Sequence, residues 1–315
     1  MAIEQLTTRK YDESAATEWN SFVAEAKNAT FLHHRDFIHH HSNLFEDSSF
    51  LFELDNKLVA LFPANAVGRT IESHGGLTYG GILTSNKMTA ELMLEIVELL
   101  IKELKKLGFT KIRYKQVPHI FCKQPADEDI FALMQHGLQM TRSDLSFVIP
   151  LDRKLPFSTL RKRMVNKANR YGVSVKESSD LATYWQILTD ALQKRHMTKP
   201  THTLAQISYL QKKFPEQIRL FSSFSGDQMV AGVLIFDCGQ TIHTQYIVAS
   251  EDGLKLGALD LIFHKLINQE FNDRTWFSFG SASDEQGTRL NKGLARQKEM
   301  FGARSVVFQH FELAL

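Results

Sequence analysis

Apolar residues Leu92, Ile96, Leu99, Leu100 and Leu104 recur at the spacing of one helix face, predicting a helix over 88–107 that Gly108 ends. Around it the first half reads as helices over 14–27 and 35–43 and alternating strands over 49–54 and 57–66. Asp55-Asn56 joins those strands as a hairpin turn, and a strand over 111–115, a helix over 127–136 and a strand over 144–149 follow. After Pro150 to Pro156, which reads as a linker, a basic helix over 158–171 opens the second half. Next come a strand over 173–176, helices over 181–195 and 204–214, and strands over 218–224, 228–236 and 241–248. A long helix over 254–271, a strand over 275–279, a helix near 291–300 and a strand over 304–311 complete the pattern. After the opening helix and strand of the second half, both halves run helix, helix, consecutive strands, long helix, strand, helix, strand. That repetition predicts two mixed α/β (α+β) domains of one topology, 1–152 and 153–315, since a repeat of ~150 residues is far longer than the ~20–50 of a solenoid.

Composition narrows the class. With 315 residues, 43% of them apolar and 23% charged, the chain is an ordinary globular protein rather than a disordered one. No apolar run approaches the roughly 18 residues of a spanning helix, so integral membrane contact is not expected. The start, Met1-Ala2-Ile3-Glu4-Gln5, shows no secretory pattern. Cys122 and Cys238 have no metal or disulfide spacing. These features predict a cytoplasmic protein. Thirty-seven basic against 35 acidic residues give +2, too balanced for a DNA-binding protein, so any anion site must be local.

One such place stands out. Between Arg153 and Lys176 lie eight cations (Arg153, Lys154, Arg161, Lys162, Arg163, Lys167, Arg170, Lys176) and no acid. Arg163, Lys167 and Arg170 fall at i, i+4 and i+7 of the helix, a stripe that either binds phosphate or is a solvated face paired with carboxylates distant in sequence. At the next helix junction Arg195 and Lys199 could meet an anion, and His196 or His202 could take a proton from an amine near neutral pH. Thr203 there reads equally as a helix cap.

Two further segments sit where α/β proteins carry chemistry. The strand with His243, Gln245 and Tyr246 runs into a turn bearing Ser250, Gly253 and Gly257, which either offers backbone N–H groups to a phosphate or carbonyl or only permits close packing. Phe279-Gly280-Ser281-Ala282-Ser283, then Asn291, Gln297 and Lys298, follow a strand's carboxyl end, where open sheets bind ligands. Lys298 suits a phosphate or an oxyanion, or a last-turn cation facing the helix dipole. In the first half, His74 and Tyr79 of the loop Ser73 to Gly81 are candidate ligand contacts, although its glycines also suit tight bends. His33, His34, His39, His40 and His41 lack the i, i+4 spacing of a helical metal clamp, so no metal is expected.

Several pieces in order resemble the FemAB/FemX family of tandem GNAT-fold proteins, with its GNAT N-acetyltransferase and BioF2-like acetyltransferase group. They are Asn28-Ala29-Thr30-Phe31-Leu32-His33-His34-Arg35-Asp36-Phe37, Leu58 to Asn65, Ser73 to Gly81, Arg195-His196 with Pro200 and His202-Thr203-Leu204, His243-Thr244-Gln245-Tyr246, Gly257-Ala258-Leu259-Asp260, and Gly293-Leu294 to Gln297-Lys298. The resemblance covers most of the chain. It implies two tandem GNAT-like domains, the second carrying the active site, and transfer of an acyl or aminoacyl group to an amine.

By that resemblance the family's C-terminal lysine falls on Lys298, its strand tyrosine on Tyr246, and its phosphate-binding cations on Arg163 or Lys167. Acyl-CoA would be the donor held at Ser250, Gly253 and Gly257, although Leu254 stands where the CoA-loop pattern has Gln or Arg. The alternative donor is aminoacyl-tRNA, without the helical hairpin of larger family members. Ser278 replaces a family carboxylate, which removes any base role there. The function implied is N-acyl transfer to a phosphorylated small-molecule or cell-envelope acceptor. Lys298 and Tyr246 would serve the reacting carbonyl, and His243 or His196 proton transfer. Arg163, Lys167, Arg195, His202, Gln245, Ser281, Ser283, Asn291, Gln297, His74 and Tyr79 would contact substrate. The alternatives are a tRNA-dependent transferase of cell-wall precursors and an inactive ligand-binding relative.

Overall fold

The computed structural model describes residues 5–40, 44–196 and 200–315, with the side chains of Arg195 and His196 outside that description. Contacts divide the chain into two units, 1–144 with 286–288 and 307–315, and 145–285 with 289–306. A division at 152/153 puts the chain's last strand, Arg304–Ala314, wholly in the second half. Here its residues from Val307 on belong to the first unit, because His310 to Ala314 pair antiparallel with Lys115 to Lys111. The fold is mixed α/β in both units.

In the first unit, helix Ala90–Lys106 forms where the period demanded it. The Thr89 hydroxyl accepts the Leu92 N–H at 3.2 Å, Lys105 and Lys106 occupy the last turn, and Gly108 follows at φ +83°. Its buried stripe (Met93, Ile96, Val97, Leu100, Leu104) joins Phe50, Phe52, Phe62, Ile112 and Phe311 in one core. The long strand expected over 57–66 is two elements, since Pro63 cannot donate to a ladder. Lys57–Phe62 lies in the sheet Leu6–Lys10, Phe50–Leu54, Lys57–Phe62, Leu83–Thr84, while Asn65–Val67 pairs with Thr70–Glu72 and Glu46–Asp47.

The second unit holds the strands Ser174–Glu177, Ile218–Ser225, Gln228–Asp237, Thr241–Ala249 and Trp276–Ser281 in that spatial order, followed by the 145–150 end of Gln139–Pro150. Strand Gln228–Asp237 is buried on both faces, so it reads as a continuous apolar run. The connection from Thr241–Ala249 to Trp276–Ser281 is helical, and these two strands are parallel. The expected long helix is interrupted: Glu251–Leu256 and Ala258–Lys265 meet at Gly257, and Leu266–Glu270 winds as a π-turn. Phe263, Phe277, Phe279 and Phe301 pack edge to face or stacked beneath the sheet, with centroids 5.0–6.2 Å apart. No described helix is long and apolar enough to cross a membrane.

Helix Leu181–His196 lies on strand Gln228–Asp237 through the Tyr184 ring, and a methyl at Gly232 would stand 2.5 Å from that ring. Replacing Gly232 with Ala should destabilise the chain by about 1–3 kcal/mol, the usual cost of overpacking. Replacing Gly293, whose added methyl meets nothing closer than 3.7 Å in a helix, should add about 0.4–1 kcal/mol instead. Urea unfolding of the two variants reads both signs.

Candidate functional site

The parallel strands Thr241–Ala249 and Trp276–Ser281 stay in register for three positions only, Thr241 with Trp276, Ile242 with Phe277 and His243 with Ser278. Each then carries an irregularity. Against Gln228–Asp237, Ile235 faces Thr244 and Leu234 faces Tyr246, leaving Gln245 as the extra residue of a bulge. Against Gln139–Pro150, Val148 faces Ser278 and Ser146 faces Ser281, and the surplus residue is taken up where Gly280 sits at φ +71°. Bulges bend strands and end pairing, so the two strands part beyond His243 and Ser278.

Lys298, from helix Lys292–Glu299, reaches this end. Its ammonium donates to the Gly280 carbonyl at 2.9 Å and the Ser281 carbonyl at 2.7 Å, and lies 6.0 Å from the Phe147 ring centre. The residue is buried and forms no ion pair with a described residue. Burial lowers its pKa to about 8. His243 stands beside it, with Nδ1 3.2 Å from the Ser278 hydroxyl, which also accepts the Gly280 N–H at 3.3 Å. Burial, and then the Lys298 charge, lower His243 to about 4, so its imidazole is neutral at physiological pH. Ser278, the Gly280 and Ser281 carbonyls and Phe147 complete the cluster. The motif reading had treated Ser278 only as a missing carboxylate.

Tyr246 belongs to a second group. Its hydroxyl lies 2.7 Å from His202 Nδ1 and accepts the His202 backbone N–H at 3.2 Å. Trp185 packs edge-on against the Tyr246 ring at 5.3 Å, and the Tyr184 hydroxyl donates to the Tyr246 carbonyl at 2.9 Å. Burial raises the Tyr246 pKa, opposed first by the His202 backbone hydrogen bond and then by those from Gln245 and Thr201. Tyr246 is therefore a protonated hydrogen-bond donor.

Other candidates have structural duties. Ser283 Oγ accepts the Leu145 N–H at 2.7 Å, Ser281 Oγ accepts the Ser283 N–H at 3.0 Å, and Asn291 caps the Lys298 helix by accepting the Leu294 N–H at 3.0 Å. Gln297 is half-buried one residue before Lys298. Arg163 is exposed and Lys167 half-buried on helix Thr159–Arg170, and no hydrogen bond or ion pair ties them to the Lys298 cluster. Arg161 of the same helix is held by Asp260 at 3.1 Å and lies 4.5 Å over the Phe301 ring. The side chains of Arg195 and His196, and all of Lys199 and His41, lie outside the described residues.

The first unit corrects the reading of its glycine loop. His74 and Tyr79 are both about 2% exposed and lie in the core. Tyr79 OH is 3.0 Å from the Thr30 hydroxyl and its ring lies 4.3 Å from Phe121, while the His74, Gly75 and Leu77 carbonyls receive the Lys115 ammonium. The loop is a buried bend organised by a lysine, so neither side chain is presented to a ligand. No described group of three or more His, Cys, Asp or Glu side chains is arranged to hold a metal.

The turn after Thr241–Ala249 is spent on packing as well. Ser250 caps the helix by accepting the Gly253 N–H at 3.1 Å. A methyl on Gly253 would lie 2.1 Å from the Val230 carbonyl oxygen, and one on Gly257, at φ +78°, 2.6 Å from that of Met164. Glu251 and Asp252 fill the first turn. These carboxylates are paired with Lys194 at 3.2 Å and Lys255 at 3.3 Å, so the turn's side-chain charges are matched within the chain and its glycines are spent on backbone contacts.

Residues 158–285 match the family described as acetyltransferase (GNAT) domain. No curated protein matches the sequence. Among solved structures the chain resembles FemX at 11% identity, covering 98% of this chain and 97% of that one with a TM-score of 0.70. It also resembles L-PGS from Bacillus licheniformis at 16% identity, with 96% and 91% covered and a TM-score of 0.63. A conserved protein of unknown function from Bacteroides thetaiotaomicron aligns at 10% identity over 99% and 100%, with a TM-score of 0.59. Residues 158–285 of the second unit thus resemble the acetyltransferase (GNAT) domain, and the chain as a whole has a FemX-like fold, as the motifs implied.

Lys298 supplies a direct test of the site's electrostatics. Its folded pKa near 8 lies below the ordinary 10.5, so between these values the unfolded chain holds more protons and the stability linked to Lys298 rises with pH. The stability difference between wild type and Lys298→Met should move in favour of wild type from pH 8 to 10. A flat difference in urea titrations would show that the ammonium is not desolvated.

Proposed function

We propose that the protein is an N-acyltransferase that moves an acyl or aminoacyl group onto an amine of a phosphorylated small molecule or cell-envelope precursor. The observation that carries this reading is the Lys298 ammonium. It is a buried cation balanced by two carbonyls instead of a carboxylate, at the point where two parallel strands separate in a GNAT domain. Two of its three donors are used. The third is available to a carbonyl oxygen that becomes an oxyanion as the amine attacks.

The reaction forms a C–N bond, passes through a tetrahedral oxyanion, and expels the donor's leaving group, which takes up the proton that the amine gives away. Orientation of the two substrates supplies most of the remaining advantage. His243 is neutral, held through Ser278, and serves as a hydrogen-bond partner for the attacking amine, since a group titrating near 4 stores little proton at pH 7. Tyr246, fixed by His202 and Trp185, orients a carbonyl or acceptor group as a neutral donor. The phosphate of the acceptor would be met by Arg163 and Lys167, together with Arg195 at the end of its helix.

Acyl-CoA remains the donor that a GNAT domain suggests, yet the glycines of the turn 250–257 are spent on backbone contacts and its carboxylates are already paired with Lys194 and Lys255. We therefore route no step through CoA. An aminoacyl ester carried on tRNA makes no demand on that turn and is the donor this geometry favours.

Replacing Lys298 with Ala should lower kcat by about 10²–10³, as loss of an oxyanion donor does, with KM changed only a few-fold. Unchanged turnover would remove Lys298 from the mechanism. Because the protonated form acts, kcat should fall as pH rises through about 8. In thermal-shift assays aminoacyl-tRNA should stabilise the protein and acetyl-CoA should not, a ligand at 100 times its Kd being worth about 2.7 kcal/mol. Stabilisation by acetyl-CoA with no response to aminoacyl-tRNA would reverse the choice of donor.

A further inference from the structure

The second unit contains a cavity of about 540 Å3 that shares no lining residue with the Lys298 cluster, lined by Lys154, Phe157, Lys162, Asn166, His264 and Asn268 with an apolar remainder. Its size falls in the ~300–1,000 Å3 range of small-molecule sites. Two lysines and a histidine line it, and no Asp or Glu is among its described lining residues.

Lys154 is fixed without being neutralised. Its ammonium donates to the Ile267 carbonyl at 2.9 Å and lies 3.3 Å from the Asn272 side-chain oxygen, both uncharged. The Ile267 carbonyl belongs to the π-turn Leu266–Glu270, a distortion frequent at functional sites, which also carries Asn268. Of the nearby carboxylates, Asp260 pairs with Arg161 at 3.1 Å, Glu270 with Arg219 at 3.0 Å, Asp273 with Arg274, and Asp152 lies 3.9 Å from Arg153. From Arg153 to Lys176 there is no acid at all. The positive charge of this cavity is thus left for a ligand.

We propose that this cavity binds a nucleoside diphosphate. Lys154 and Lys162 would hold the phosphates as point charges. Phe157, which meets His264 edge-on at 6.3 Å, offers an aromatic surface to the base. Asn166 and Asn268 each present a donor and an acceptor to its polar edge.

The test is titration calorimetry of the full chain with ADP, UDP, inorganic pyrophosphate and adenosine. At least one nucleoside diphosphate should bind saturably, with pyrophosphate competing and weaker, and adenosine at least tenfold weaker. Lys162→Glu, an exposed position, and Lys154→Met should each weaken binding tenfold or more, whereas Lys298→Met should leave it unchanged. Absence of saturable binding, wild-type affinity in Lys162→Glu, or loss of binding in Lys298→Met would overturn the proposal. Equal affinity for pyrophosphate and the nucleotides would overturn its nucleoside half. None of these readouts involves acyl transfer, so the site stands or falls independently of the enzymatic reading.

Discussion

The candidate site depends on the parting of two parallel strands. Thr241–Ala249 and Trp276–Ser281 share three paired positions and then separate, one bulged at Gln245 and the other irregular where Gly280 takes a left-handed conformation. Separation leaves carbonyls at the strand end without a neighbouring strand to satisfy them. Lys298 answers two of these, at Gly280 and Ser281. A buried ammonium is costly unless its donors are matched, and the carbonyls are costly unless their acceptors are, so each requirement meets the other. The same arrangement keeps the lysine desolvated and its pKa low without a carboxylate to quench its charge.

Around that cluster, polar side chains that look chemical in sequence mostly hold the backbone in place. Ser283 and Asn291 anchor the strand end and the helix that delivers Lys298, and Ser278 fixes both His243 and the Gly280 N–H. Removing any of them would disturb Lys298 and His243 indirectly. The eight-cation segment divides in the same way. Arg161 turns inward to Asp260 and Phe301, Lys154 is clamped by neutral oxygens, and Arg163 is exposed. One run of like charge therefore contains a structural ion pair, a wall of a cavity and a solvent face.

Much of the fold was legible because local pattern and tertiary environment agree. The 88–107 periodicity, the Gly108 stop and the buried run of Gln228–Asp237 each name their element directly. The motif singled out Lys298, and the structure places it in a buried cluster at a strand end. The glycine loop misled because Gly75-Gly76 and Gly80-Gly81 beside His74 and Tyr79 look the same whether a loop greets a ligand or bends into a core. Burial by Phe121 and the reach of Lys115, 36 positions after Tyr79, decide the matter, and neither is a local property. Gly253 and Gly257 were ambiguous for the same reason, since a close carbonyl from Val230 or Met164 leaves no trace in the turn itself.

By itself the sequence determined the elements, their duplicated order, the basic segment and the residue types able to stabilise an oxyanion, since these follow from period, capping and side-chain chemistry. Only the tertiary structure decided which of them meet. It ended the pairing of two strands after three positions, gave Lys298 carbonyl partners instead of a carboxylate, and bound Tyr246 to His202. It also placed the last strand from Val307 onward in the first unit. The physical reason is that desolvation and hydrogen-bond satisfaction are set by neighbours far away along the chain, so the charge state of a lysine or the purpose of a glycine exists only once those neighbours are in place.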